Sequence, residues 1–199
     1  MNYIVFDMEW NQPTGKSEKI TEPLPLCGEI IQIGAVKLNE SFNVSDTFNV
    51  MIKPVYYKKM NSSVKKLTGI CDNDLQGGIP FSKAYENFLN FCGEDFCLLT
   101  WGNDDILVLN ANLAIHGIVS EKSPITYNLQ RIFGRQIAKT KKQISLENAV
   151  ATLGEPPYCA HDALNDAISA ALVCRHLDLT KEITARPSRK RKKRATHKN

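Results

Sequence analysis

The chain opens on a run of β-branched and aromatic residues, YIVF at 3–6 followed by Asp7, which predicts a buried strand over residues 3–7. Residues 11–28, rich in Pro and Gly, read as a loop. The segment EIIQIGAVKL, with 30–38 as its core, and residues 44–52 flank a polar turn at 39–43 and predict neighbouring antiparallel strands. Beyond Pro54 the period changes. Residues 61–67 read as one or two helical turns closed by Thr68-Gly69. Apolar residues at 81, 84, 85, 88, 89 and 91 mark an amphipathic helix over 80–91, stopped by Gly93. CLLTW at 97–101 predicts a second buried strand, 104–116 a helix ending at Gly117, and 125–127 a short strand. Helical segments follow around 128–133 and 144–153. The clearest helix covers 162–177, where Ala163, Ala167, Ala170, Ala171, Cys174 and Leu177 keep i, i+3, i+4 spacing. Early strands followed by alternating strands and helices predict one mixed α/β sheet of about five strands, flanked by helices.

Composition narrows the class. At 199 residues, 43% hydrophobic and 23% charged, the chain suits one ordinary globular domain. No stretch approaches the roughly 18 apolar residues of a membrane span, and MNYIVFDMEW lacks the features of a secretory signal. The scattered cysteines 27, 71, 92, 97, 159 and 174 read as reduced thiols in the cytoplasm. The net charge of +4 is uneven: beyond Glu182 stand eight Lys or Arg and no acid. The expected division is a folded unit over 1–180 and a basic, disordered tail over 181–199, serving as a polyanion-binding arm, a nuclear address or a solubilising segment.

Three segments carry chemistry. Asp7 and Glu9 stand two apart on a strand, so their carboxylates share a face while Met8 points to the core. Two acids at the end of an apolar strand call for a cation, and oxygen donors suit Mg²⁺ or Mn²⁺. His161 and Asp166, in HDALNDA, combine a histidine at a helix entrance with an acid on an alanine-lined helix that packs closely. Such a histidine can take a proton from an attacking water. Asp162 is expected in the first helical turn, favoured by the dipole. In TWGNDDILVL, Asp104 or Asp105 follows the C-terminal end of a strand, where α/β sheets place ligands.

Together these segments resemble the DEDDh 3′→5′ exonucleases, whose fold is ribonuclease-H-like. Asp7 and Glu9 match the family's Asp-x-Glu, and Asp105, with Ile106 and Leu109, matches its second motif. His161, Ala163, Asp166 and Ala167 match its His-x-Ala-x-x-Asp. EIIQIGAV and KLTGI at 66–70 are similar to further family features. The likeness spans about 1–178 and is nearest the branch that trims RNA 3′ ends, including the histone-mRNA exonucleases. One departure is Trp10, which stands where many relatives carry a small residue.

The resemblance implies that Asp7, Glu9, Asp105 and Asp166 hold two Mg²⁺ or Mn²⁺ ions, with His161 as the base. It implies release of nucleoside 5′-monophosphates from single-stranded 3′ ends, RNA over DNA. Met8, Trp10 and Asn11 are the expected substrate-binding residues, with Trp10 either stacking on a base or packing. Two basic patches, 56–59 with Lys65 and Lys66, and Lys139, Lys141 and Lys142, are candidate phosphate contacts or merely solvated faces. Alternatives are an internally cutting nuclease on the same fold, a catalytically silent RNA-binding domain, and a zinc site drawn from Cys92, Cys97, Cys159 and His161. The last lacks any Cys-x-x-Cys pair.

Overall fold

The first strand forms because its apolar residues alternate between two cores. In the computed structural model, which describes residues 1–22, 24–39, 41–120, 124–156 and 159–184, β1 (Asn2–Asn11) is the central strand. Ile4, Phe6 and Met8 enter one core while Val5 enters the other, as a period of two requires. β1 pairs antiparallel with β2 (Glu29–Leu38), which pairs antiparallel with β3 (Val44–Met51). On its other edge β1 runs parallel to β4 (Phe96–Thr100), followed by β5 (Ile125–Asn128). The five-stranded order is β3-β2-β1-β4-β5, the mixed sheet expected.

Helices cover both faces. α3 (Phe81–Cys92) and α4 (Asp104–Ile115) bury Phe88, Leu109 and Leu113 against Phe6 and Met8. On the opposite face α5 (Leu129–Gln136), α6 (Leu146–Leu153) and α7 (Ala163–Cys174) bring Phe133, Val150 and Ala170 onto Val5, Val36 and Leu99. α1 (Ser62–Thr68) and α2 (Asp72–Gln76) close a smaller cluster over Ile31. Gly69 ends α1 at φ 74°, the left-handed stop that glycine supplies.

The differences from expectation lie at element ends. β1 continues past residue 7 because its pairing with β2 survives an irregularity at Glu9/Trp10 and runs on to Asn11 opposite Glu29. α7 stops before 177, where the bonds tighten to His176 N–H on Val173 and Leu177 N–H on Cys174. α2 is the helix that the resemblance implies after KLTGI at 66–70, whereas α8 (Leu179–Thr184) has no sequence signal, being shorter than a readable hydrophobic period. α8 crosses the expected boundary at 180, and Glu182 on it pairs with Arg135 at 2.6 Å. The basic tail lies outside the described residues from 185 onward. No helix of the described residues is long and apolar enough to cross a membrane.

Candidate active site

β4 is shorter than β1, and this difference makes the site. Parallel pairing ends with Val5 opposite Leu99, so β1 projects beyond its neighbour carrying Asp7, Met8 and Glu9. The chain leaving β4 turns at Gly102 and begins α4 at once, and the second residue of that helix is Asp105. Asp105 is buried with only 6% exposure, whereas Asp104 is exposed at the rim. Asp105 and Leu109 lie one helical turn apart and are buried together.

The fourth acid arrives on α7, which crosses the sheet unusually closely. A Cβ on Gly34, the β2 partner of Asp7, would stand 2.1 Å from the Leu164 nitrogen and 2.2 Å from the Ala163 carbonyl carbon. Only glycine permits that approach. Next to it, the buried Gln32 donates from Nε2 to Asp162 Oδ2 at 2.9 Å and accepts from the Ala163 N–H at 3.3 Å. Asp162 is the N-cap of α7, accepting from the Asn165 N–H; it is spent on the helix, close to its expected place in the first turn. Because Gln32 faces Glu9 across the ladder, it registers the start of α7 against β1. His161 precedes this start at φ 66°. Its N–H donates to Asp166 Oδ2 at 3.0 Å.

The outcome is a cleft of about 670 Å³ holding Asp7, Glu9, Asp105, His161 and Asp166. Ligand atoms of Glu9, His161 and Asp166 all lie within 4.8 Å of one another. Burial pushes Glu9 up to about 8, aided by the charges of Asp166, Asp105 and Asp162. Burial likewise raises Asp105 to about 7, against hydrogen bonds from its own N–H and that of Met8. Asp7 is raised well above the ordinary carboxylate range, first by burial and then by Asp105, Asp166 and Glu9. Acids that raise one another in this way fit a site whose charge is completed by hard divalent cations, and their oxygen donors suit Mg²⁺ or Mn²⁺.

The expected substrate-binding residues separate. Met8 lines the cleft yet is only 2% exposed, its side chain lying in the core; what it offers the acids is its backbone N–H. Asn11 is fully buried. Its amide donates to the Tyr57 and Lys59 carbonyls while its oxygen accepts from the Asn61 N–H, so it pins the 57–61 turn rather than facing the cleft. Trp10 does line the cleft, its ring seated on Gly28, where a Cβ would stand 2.3 Å from Cδ1. The tyrosines of the first basic patch belong to the fold: Tyr56 and Tyr57 donate their hydroxyls to the Ile115 and Leu26 carbonyls. Gln32 and Gly34, which seat α7, and Gln130 and Arg131, which line the cleft, are not singled out by the sequence reading. A polar residue inside the apolar run EIIQIGAV was the available signal for Gln32.

Comparison with known proteins places the chain in a family and a fold. The PolC-type DNA polymerase III of Streptococcus pyogenes is 28% identical over 144 residues, covering 72% of this chain and 9% of that protein. The chain thus spans less than a tenth of the curated relatives it matches. Among solved structures, the nuclease domain of 3′hExo, a DEDDh family member bound to rAMP, aligns with TM-score 0.76 at 19% identity, covering 91% of this chain and 92% of that one. Exonuclease I of E. coli in complex with an oligonucleotide aligns with TM-score 0.67 at 14% identity, covering 92% and 41%. These likenesses share the ribonuclease-H-like sheet. The sequence model of the RNase T exonuclease family matches residues 4–174, and the chain belongs to that family.

Proposed function

We propose that this chain is a divalent-metal-dependent 3′→5′ exonuclease. It releases nucleoside 5′-monophosphates from single-stranded 3′ ends, taking RNA in preference to DNA, as in the branch that trims RNA 3′ ends. The observation that carries this reading is the convergence of Glu9, Asp166 and His161 within 4.8 Å, in one cleft with Asp7 and Asp105. Carboxylates clustered where a phosphodiester must enter hinder a simple binder, because like charges repel. They serve an enzyme that works through cations.

Asp7, Glu9, Asp105 and Asp166 are the residues that would hold two Mg²⁺ or Mn²⁺ ions. Bound there, such ions supply Lewis-acid polarisation of the phosphate and a lowered pKa for water. The chain's own contributions are separate. His161, exposed at the rim with its N–H tied to Asp166, is free to take a proton from water and pass it to solvent. Gln32 and Gly34 hold α7 against β1, so that Asp166 and His161 keep their place relative to Glu9. Trp10 offers an aromatic face to the terminal nucleotide. The folded unit carries this activity, and the basic tail adds nonspecific attraction to the substrate.

The test uses single-stranded RNA and DNA labelled at the 5′ end, incubated with Mg²⁺ or Mn²⁺. A ladder shortening from the 3′ end is expected, faster on RNA, and abolished by EDTA and by Asp7→Asn. Absence of cleavage by folded, metal-supplied protein overturns the reading. Cleavage that begins internally replaces it with an endonuclease.

A further inference from the structure

One wall of the cleft continues along α5 and the loop that follows it, and that loop is built rather than slack. Asn128 caps α5, accepting from the Arg131 N–H at 2.8 Å. The chain leaves the helix by folding straight back on it. The N–H groups of Ile137 and Ala138 both donate to the Phe133 carbonyl, and the Thr140 N–H donates to the Gly134 carbonyl at 2.9 Å. The return is so close that a Cβ on Gly134 would meet the Thr140 oxygen at 2.9 Å. It holds Lys139 at φ 51°, a conformation that a lysine keeps only when its surroundings enforce it. At the far end the Ile144 carbonyl accepts from the Trp101 indole at 3.0 Å and from the Gln130 amide at 2.9 Å. Residues 137–144 are therefore clamped at both ends.

This clamped segment presents positive charge. Two of its neighbouring cations serve the fold: Arg135 pairs with Glu182, and the Lys139 ammonium donates to carbonyls at the end of α5. Among the described residues no carboxylate lies within ion-pair distance of Arg131, Lys141 or Lys142. Arg131 and Lys141 line both the carboxylate cleft and an adjoining groove of about 380 Å³. Lys142 lines that groove, and no described acid does.

We infer that Arg131, Lys141 and Lys142 form a phosphate track receiving the backbone of a single strand upstream of its 3′ end. The inference rests on the nuclease reading for what enters the cleft. Removing one nucleotide at a time engages only the last phosphodiester at the acids, so the rest of the strand must leave along a wall. Phosphates are repelled by the carboxylate floor and drawn to the wall whose cations have no carboxylate partner among the described residues. Such contacts read no base and favour longer strands.

The test measures binding by fluorescence anisotropy on the full chain carrying Asp7→Asn, so that the strand is not consumed, in Mg²⁺ and across a series of KCl concentrations. A labelled dodecamer is compared with a dinucleotide. Adding Arg131→Gln, Lys141→Gln and Lys142→Gln is expected to weaken the dodecamer at least tenfold. Its log–log salt slope should fall by about 2, at about 0.7 per phosphate contact on a single strand. The dinucleotide should lose several-fold less. Carrying Lys141→Arg and Lys142→Arg in place of the two Lys→Gln changes should restore most of the dodecamer affinity, which rules out a folding defect. An unchanged salt slope, or an equal loss for both lengths, overturns the track. Failure of the unsubstituted protein to cleave sinks the nuclease reading but leaves this binding comparison able to decide.

Discussion

Raising the pH on metal-free protein should destabilise it, and divalent cations should reverse the effect. Burial lifts Glu9 from its ordinary 4.5 to about 8 and Asp105 from 3.8 to about 7. A carboxyl with a raised folded pKa binds its proton more tightly folded than unfolded, so its stabilising contribution is complete below the unfolded value. The contribution declines above about pH 4.5, as the unfolded Glu ionises, and is gone above about pH 8. At about 1.4 kcal/mol per pH unit of displacement, Glu9 alone sets a ceiling of about 5 kcal/mol. Because the acids titrate as a group, the two contributions do not add; a total loss on the order of 3–5 kcal/mol between pH 5 and 8.5 is expected. That is a large share of ordinary domain stability. For a chain of this size it lowers Tm by roughly 10 °C. Scanning calorimetry in EDTA at both pH values, then with excess Mg²⁺ or Mn²⁺, measures it, since a cation that binds only the folded state recovers stability by mass action. Glu9→Gln removes one buried charge, so the metal-free variant should melt higher than the unsubstituted protein at pH 8.5 and respond less to metal. A Tm independent of pH in EDTA, or a decline equally steep in Glu9→Gln, would refute the argument that these acids share an uncompensated site.

Gly34→Ala places a methyl 2.1 Å from the Leu164 nitrogen. It should lower stability by about 1–3 kcal/mol and reduce kcat on the order of 100-fold by displacing α7, read by thermal melting and single-turnover cleavage. Gln32→Ala leaves Asp162 and the Ala163 N–H without their partner. A loss of about 1–3 kcal/mol should accompany a fall in kcat, with KM for a dinucleotide little altered. Gln32→Met, which fills the same volume without the bonds, should not rescue it. Deleting residues 186–199 removes eight Lys and Arg; it should weaken binding to long strands and flatten its salt dependence, and unchanged affinity at low salt would refute that role.

What could be read from the chain was local. Asp7 and Glu9 share a face because strands repeat every two residues, and Asp105 separates from Asp104 because Leu109 stands one turn further on and is buried with it. His161 and Asp166 were visible as one short motif. What escaped depends on partners distant in sequence. Gln32 meets Asp162 across 130 positions, and no period in EIIQIGAV reports such a partner. Asn11 follows the acids in sequence but comes after the irregularity at Glu9/Trp10, and its amide turns to Tyr57 and Lys59 instead of the cleft. The lysines of 139–142 were legible as charge. That Lys139 is consumed by helix carbonyls while Lys141 faces the cleft follows from a reversal made possible by Gly134, which composition does not report.

The site and the sheet solve one problem together. A β1 matched in length by β4 would have sent the Met8 N–H into a ladder bond and left the acids flanked by strand. Because the β1–β4 pairing stops opposite Val5, that N–H is left to favour the charged forms of Asp7 and Asp105, and α4 delivers Asp105 into the gap with its own first-turn N–H also facing the carboxyl. These two bonds pull the acids toward ionisation but are outweighed by burial, which holds Asp105 near 7. The backbone can therefore position the carboxylates without fully compensating them. The remaining deficit lies where an external cation can reach it, and the same deficit expected to weaken the metal-free fold would give the cleft affinity for the ions that the proposed hydrolysis requires.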